Sequence, residues 1–349
     1  MANQKKNFLK VLNKEKPDHI PFWFMRQAGR YLPEYMKLRQ KAGGFLDMAY
    51  NPSMAAEITM QPIRRFEMDA AIIFSDILVI PHALGQHLEF VQGEGPKLEP
   101  VRNNQDISKL NFDNFDNVLN PVYEALSKVR AGLKNEGYNN TALIGFCGAP
   151  WTVACYMVEG GGSKDFINTK RLAFSDPQSF SKLIDLLVES SAKYLINQVN
   201  AGAEALQIFD SWAGALDAQS FKKWVINPTK RIIDLVHEVH PDIPIIGFPR
   251  CAGANYISYV RETGVSAVGL DQAVDTSWAA DRVQPLVPVQ GNLDPICLLT
   301  GGDALKRAAE KIITDLSDGD FIFNLGHGIH KDTPPEHVEQ LVKIIRENS

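Results

Sequence analysis

Ile20-Pro21-Phe22-Trp23-Phe24-Met25-Arg26-Gln27-Ala28-Gly29-Arg30-Tyr31-Leu32-Pro33 starts as an apolar run and ends in two arginines four residues apart. The run over 20–25 predicts a strand buried on both faces. A strand that stops at arginines presents permanently charged, planar forks where a sheet ends, and such forks suit carboxylate or phosphate. Alone, the pair reads more readily as two surface arginines capping the next helix. The rest of the chain decides between these readings, because it supplies seven further strand ends of similar character.

Those strands are expected at 70–74 running into Ser75-Asp76, 142–146 into Cys147-Gly148, 205–209 into Asp210-Ser211 and 243–248 into Pro249-Arg250. Three more follow, at 267–270 into Asp271, 287–290 into Gly291-Asn292 and 321–325 into Gly326-His327-Gly328. Their near-continuous apolar character means burial on both faces, hence a parallel sheet. Helical periodicity runs between them, most clearly over 52–66, 180–200, 218–239 and 333–347. Asp176-Pro177 and Asp332-Thr333-Pro334-Pro335 look like helix starts, a capping residue followed by proline in the first turn. Eight strands alternating with helices predict an α/β fold of the (β/α)8 TIM-barrel type. A doubly wound open sheet is the competing architecture, but no G-x-G-x-x-G follows the first strand. Residues 86–101 read as a small β-hairpin turning at Gly93-Glu94-Gly95, inserted after the second strand. Residues 103–120 read as a polar loop. With no Pro-, Gly- or Ser-rich linker, residues 1–349 are expected to form one domain.

Composition bounds what such a barrel does. At 349 residues, 45% hydrophobic and 22% charged, the chain has ample material for a core. A net charge of −5 argues against a general nucleic-acid or membrane-surface binder, so an anionic ligand needs a local cluster of cations. No apolar run approaches the ~20 residues of a membrane span, and the lysine-bearing N-terminus has no secretory h-region. Cys147, Cys155, Cys251 and Cys297 include no C-x-x-C pair, which suggests reduced thiols and a cytoplasmic protein.

In barrels of this type the site lies at the carboxyl ends of the strands. The candidates are therefore Arg26, Arg30, Asp76, Ser211, Asp271, Asn292 and His327, with Tyr156 and a lid-like 159–163 segment in nearby loops. Asp76 and Ser211 also read as helix caps, and Ser211 lacks the G-x-S-x-G frame of a nucleophile elbow. His327 between two glycines suggests close approach of backbone to a ligand. His82 and His87 read as hairpin residues, and His237 and His240 as helix-end residues that suit the macrodipole.

At this point the motifs resemble a known family. The Arg-Gln-Ala-Gly-Arg-Tyr-Leu-Pro-Glu core of the first stretch is similar to the signature of the uroporphyrinogen decarboxylases. So are Phe74-Ser75-Asp76-Ile77-Leu78, Gly145-Phe146-Cys147-Gly148-Ala149-Pro150-Trp151-Thr152, Phe209-Asp210-Ser211-Trp212-Ala213-Gly214 and Asn324-Leu325-Gly326-His327-Gly328-Ile329, in the expected order. The resemblance implies a (β/α)8 barrel, a homodimer, no cofactor and no metal. It implies conversion of the four acetates of uroporphyrinogen III to methyls, giving coproporphyrinogen III and four CO2. It assigns Asp76 to the pyrrole N–H groups and places Tyr156, Ser211 and His327 against substrate. Arg26 and Arg30 become carboxylate forks with Arg39 more peripheral, and the backbone at Gln27, Ala28 and Gly29 a further source of donors. Asp76 and Arg26 are the expected catalytic pair. For the proton donor Arg26, His327 and water all stay open.

Other readings compete, among them a phosphate-binding barrel enzyme using Gly291 and Gly326 to Gly328, which leaves the Arg26/Arg30 pair unexplained. Zinc-dependent corrinoid or thiol methyltransferases share the barrel but need a thiolate-rich site, and Gly247-Phe248-Pro249-Arg250-Cys251 carries no histidine two residues before the cysteine. A non-catalytic porphyrinogen-binding barrel is expected to lack Asp76 or the arginines, and all are present.

Overall fold

The structure is a computed structural model and describes residues 5–91 and 93–349. Seven strands form one parallel sheet: β1 (Ala70–Ile72), β4 (Ala142–Gly148), β5 (Ala205–Asp210), β6 (Ile245–Pro249), β7 (Ala267–Gly269), β8 (Val289–Leu293) and β9 (Phe321–Leu325), paired in that order. Between β1 and β4 the chain makes a separate antiparallel pair, β2 (Leu88–Val91) and β3 (Gly95–Leu98), with Leu88 opposite Leu98. The strands of the parallel sheet are buried almost throughout, and helices follow them in sequence. The curled parallel sheet with its helices is consistent with a TIM-type barrel.

Residues 20–25 do not form a regular strand. One parallel bridge joins Phe22 to Phe323. Phe323 N donates to Pro21 O at 2.9 Å, Trp23 N donates to Phe323 O at 3.3 Å, and on the other side Asp69 N donates to Phe22 O at 3.0 Å. Pro21 has no N–H to continue a ladder, and side chains take over two ladder positions. Phe22 N donates to Asp69 Oδ2 and Met25 N to Asn324 Oδ1, both at 3.0 Å. The segment therefore lies between β9 and the residue before β1, held half by backbone and half by carboxylate and amide. Inside the sheet Trp23 Nε1 donates to Gln290 Oε1 at 2.8 Å, and Gln290 Nε2 to Gln207 Oε1 at 3.2 Å. A polar chain thus runs through the core.

Several elements depart from the sequence expectations. The polar loop of 103–120 contains the short helix Asn104–Ile107 and the start of the helix Phe115–Asn135. Its buried Phe115, Leu119 and Val122 form an apolar stripe that Pro121, in the second turn, obscures. The helix over 218–239 is continuous but includes a π-helical turn, Lys222–Ile226, just before Pro228, whose missing N–H frees a carbonyl one turn back. The Asp332-Thr333 cap is absent: the helix Pro335–Glu347 has Pro334 at its N-cap and no side-chain capping bond. The 159–163 segment is anchored rather than open. Gly160 ends the helix Pro150–Glu159 at φ 82°, its carbonyl accepts from Leu98 N at 3.1 Å, and Glu159 accepts from Thr169 and Asn168.

Candidate active site

The chain turns sharply where residues 20–25 end, because Arg26 sits in the left-handed region at φ 58°. Such a conformation is costly for a residue with a Cβ and persists only where surroundings impose it. Gly328, just after β9, makes the room: a Cβ there would overlap Arg26 Cδ and Cγ. Gly326 likewise leaves space for the backbone of Gln272. The glycines beside His327 therefore serve protein neighbours rather than a ligand.

Asp76 lies four residues past the end of β1, half-buried, its Oδ1 accepting from Leu78 N at 2.8 Å. Burial pushes its carboxyl up to about 6, against the Leu78 N–H and the charge of Arg26, which both pull it down. Tyr156 shares that surrounding: burial, then the Asp76 carboxylate, push its hydroxyl up to about 12, with Arg26 opposing. Tyr156 packs on Trp212 with ring centroids 4.2 Å apart. His327 stacks on Phe248 at 6.4 Å. Burial and then the charges of Arg26 and Arg250 push its imidazole down to about 3, so it is neutral throughout the physiological range. Asp76, Arg26, Tyr156 and His327 are thus one electrostatic cluster.

The remaining expected residues stand differently. Arg30 is exposed and Arg39 half-buried, and both charges act on Tyr35 rather than on Asp76 or His327. Neither they nor Arg26 form an ion pair among the described residues. Gln27 N donates to Phe24 O at 2.9 Å and its carbonyl accepts from Tyr31 Oη at 2.7 Å, so its backbone is already occupied. Its side-chain amide is buried with neither atom partnered. Ala28 and Gly29 are half-buried between Gln27 and Arg30, and Ser211 is half-buried one residue after β5. Asp271 and Asn292 are scaffolding. Asp271 Oδ2 accepts from Cys251 N at 2.6 Å and Tyr256 Oη at 3.1 Å, and Asn292 Nδ2 donates to the carbonyls of Asp271 and Val274.

Two site residues escaped sequence reading. Tyr50 lies close enough to Asp76 for the carboxylate, after burial, to raise its hydroxyl pKa, and it hydrogen-bonds His82 Nδ1 at 2.8 Å. His82 therefore belongs to the helix Val79–Ala83 and not to the hairpin. Arg250 is the other, one residue past β6; an arginine ending a strand was the available signal, the same one that marks Arg26. Among the described residues no group of three or more His, Cys, Asp or Glu is placed to hold a metal, and no helix is long and apolar enough to cross a membrane.

A family model, uroporphyrinogen decarboxylase (URO-D), matches residues 3–348. The chain belongs to the uroporphyrinogen decarboxylase family. It is 50% identical over 345 residues to the uroporphyrinogen decarboxylase of Rhodospirillum rubrum, covering 99% of this chain and 98% of that one. It is 51% identical over 347 residues to that of Chelativorans sp., covering 99% of each. Among solved structures, a methyltransferase from Methanosarcina mazei superposes with a TM-score of 0.81 at 19% identity, covering 99% of both chains. At that identity the likeness concerns the fold. The chain and this methyltransferase thus share one architecture.

Proposed function

We propose that this family member decarboxylates the four acetate side chains of uroporphyrinogen III, giving coproporphyrinogen III and four CO2 in tetrapyrrole biosynthesis. The observation that carries the reading is the Asp76–Arg26 pair: a carboxylate with a raised pKa beside an arginine that has no salt-bridge partner.

Losing CO2 from a pyrrole acetate leaves an electron pair that needs a sink. Protonation of a ring carbon turns the electron-rich pyrrole into an iminium-like cation, and the C–CO2 bonding pair flows into it. A second proton then completes the methyl as the ring carbon gives up the first, so each acetate consumes one proton. Asp76, ionised above its pKa of about 6, accepts the pyrrole N–H groups and stabilises the cation as it develops. Tyr156, a phenol across the whole working range, donates a hydrogen bond. His327 is a neutral donor and not the acid, because its imidazole is already deprotonated far above pH 3. Arg26, or a water it polarises, supplies the proton. Arg30, Arg39 and the backbone at Ala28 and Gly29 capture peripheral carboxylates, Ser211 donates to another, and the unpartnered Gln27 amide faces the same task.

The architecture behind this is one domain over residues 1–349, in which 20–25 serves as the first of eight barrel strands and 88–98 is a hairpin inserted after the second. The reading includes a cytoplasmic homodimer that needs no cofactor; helix Ile167–Ser175 leaves Ile167 and Phe174 exposed as apolar surface for a second copy. Replacing Asp76 by Asn tests the site: turnover of uroporphyrinogen III should fall at least about a hundredfold, the loss expected of one preorganised electrostatic contact. Turnover within a few-fold of the parent would remove Asp76 from the mechanism.

A further inference from the structure

Arg250 is bolted at its backbone and unpaired at its side chain. Its N–H is held by Asp210 O at 3.0 Å and Phe248 O at 3.1 Å, its carbonyl accepts from Gly214 N at 3.1 Å, and the next N–H, of Cys251, is clamped by Asp271. The guanidinium Nε is buried without a hydrogen-bond partner, and the side chain forms no ion pair among the described residues. The two acids tied to this stretch of backbone, Asp210 and Asp271, form no ion pair with the guanidinium. Asp271 spends both oxygens, on Cys251 N and Tyr256 Oη through one and on Ala273 N through the other. Asp210 is buried, and burial pushes its carboxyl up to about 7, so it is only about half ionised at neutrality. A buried donor of a cation with no anion of its own is costly to keep, so its anion comes from outside the fold. His327 stacks on Phe248, two residues before Arg250, and feels this charge together with that of Arg26; Cys251 feels it too, whereas Asp76 feels Arg26 and not Arg250.

We propose that Arg250 and His327 form a carboxylate subsite in which one acid side chain of the substrate lies between the guanidinium and the neutral imidazole N–H, beyond Arg26 from Asp76. This rests on the tetrapyrrole reading of the pocket for the identity of the ligand, though not for the pairing itself. The guanidinium offers a fork and the imidazole a single donor, enough to hold both oxygens of one carboxylate. Because this contact is the same before and after CO2 leaves a different side chain, it contributes uniform binding.

The test uses Arg250→Gln and Arg250→Lys, with folding checked by circular dichroism and melting. The Gln variant should raise KM for uroporphyrinogen III about 10- to 100-fold with kcat within about threefold, as loss of one charge-assisted pair without a transition-state role requires. The Lys variant should recover part of that loss. The independent readout is the His327 resonance in histidine-labelled protein, assigned with His327→Gln. The charges facing the ring are Arg26 and Arg250. Its titration midpoint should rise in free Arg250→Gln and, in the parent, on adding tricarballylate, a small tricarboxylate. An unchanged KM in Arg250→Gln, or a His327 resonance indifferent to both the substitution and the carboxylate, overturns the subsite. A parent that binds tricarballylate at His327 but never turns over uroporphyrinogen keeps the subsite and overturns the tetrapyrrole reading instead.

Discussion

Asp76 shows how function is kept at the expense of stability. Its carboxyl prefers the neutral form in the fold, with a pKa near 6 against an unperturbed 3.8. The folded state therefore loses protons later than the unfolded chain as pH rises, so the penalty is absent below about pH 4 and complete above about pH 6. Asp76→Asn should accordingly gain about 1–3 kcal/mol at pH 8 and nothing at pH 4, read from denaturant midpoints, while turnover collapses. Equal stability at pH 8 would mean that the carboxylate is better solvated than its surroundings indicate. Gly328 is the complementary case. Gly328→Ala should leave the fold intact, since the obstructing atoms belong to a flexible side chain, yet displace Arg26 and cut kcat about tenfold or more. Wild-type kcat would show that Arg26 reaches its place by another path. The sequence made Arg26 and Asp76 legible because each ends an apolar run. It hid Tyr50, which follows the short helix Phe45–Ala49 and is remote in sequence from any strand end, and Arg250, whose unpartnered guanidinium nitrogen only the packing reveals.

Among the elements, the segment over 20–25 was legible as buried and as ending at the site, but its bonding was not. Asp69 and Asn324 supply side-chain acceptors that no strand pattern reveals. Asp69 is itself tied to His19 Nε2 at 2.8 Å, and this hydrogen bond, against burial, raises the histidine's pKa. A histidine with a raised folded pKa contributes stability that is complete below about 6.5 and fades as pH rises through the folded value. The melting temperature of the parent should therefore exceed that of His19→Gln at pH 6 by more than at pH 8.5. A difference that does not change with pH would assign the His19 contact a purely packing role. The helix Phe115–Asn135 was obscured by Pro121: proline past the first turn signals a break, and here the helix continues through it.

At the scale of the molecule, strand spacing and composition were enough to indicate a parallel α/β sheet with helices between its strands. On the proposed reading a chain of net charge −5 that takes a polycarboxylate needs a local cluster of cations, and Arg26, Arg30, Arg39 and Arg250 are the arginines we assign to it. Which carboxylate meets which arginine was beyond the sequence, since Arg30 and Arg39 gather at Tyr35 while Arg26 and Arg250 gather at His327. On the proposed reading the site removes the acetates one after another using the chain's own residues. Anaerobic incubation of the purified, chelator-treated protein with uroporphyrinogen III, followed by separation of the oxidised porphyrins by carboxylate number, tests it most directly. Seven-, six-, five- and finally four-carboxylate products are predicted; an unchanged eight-carboxylate porphyrin after prolonged incubation with folded protein would contradict the account.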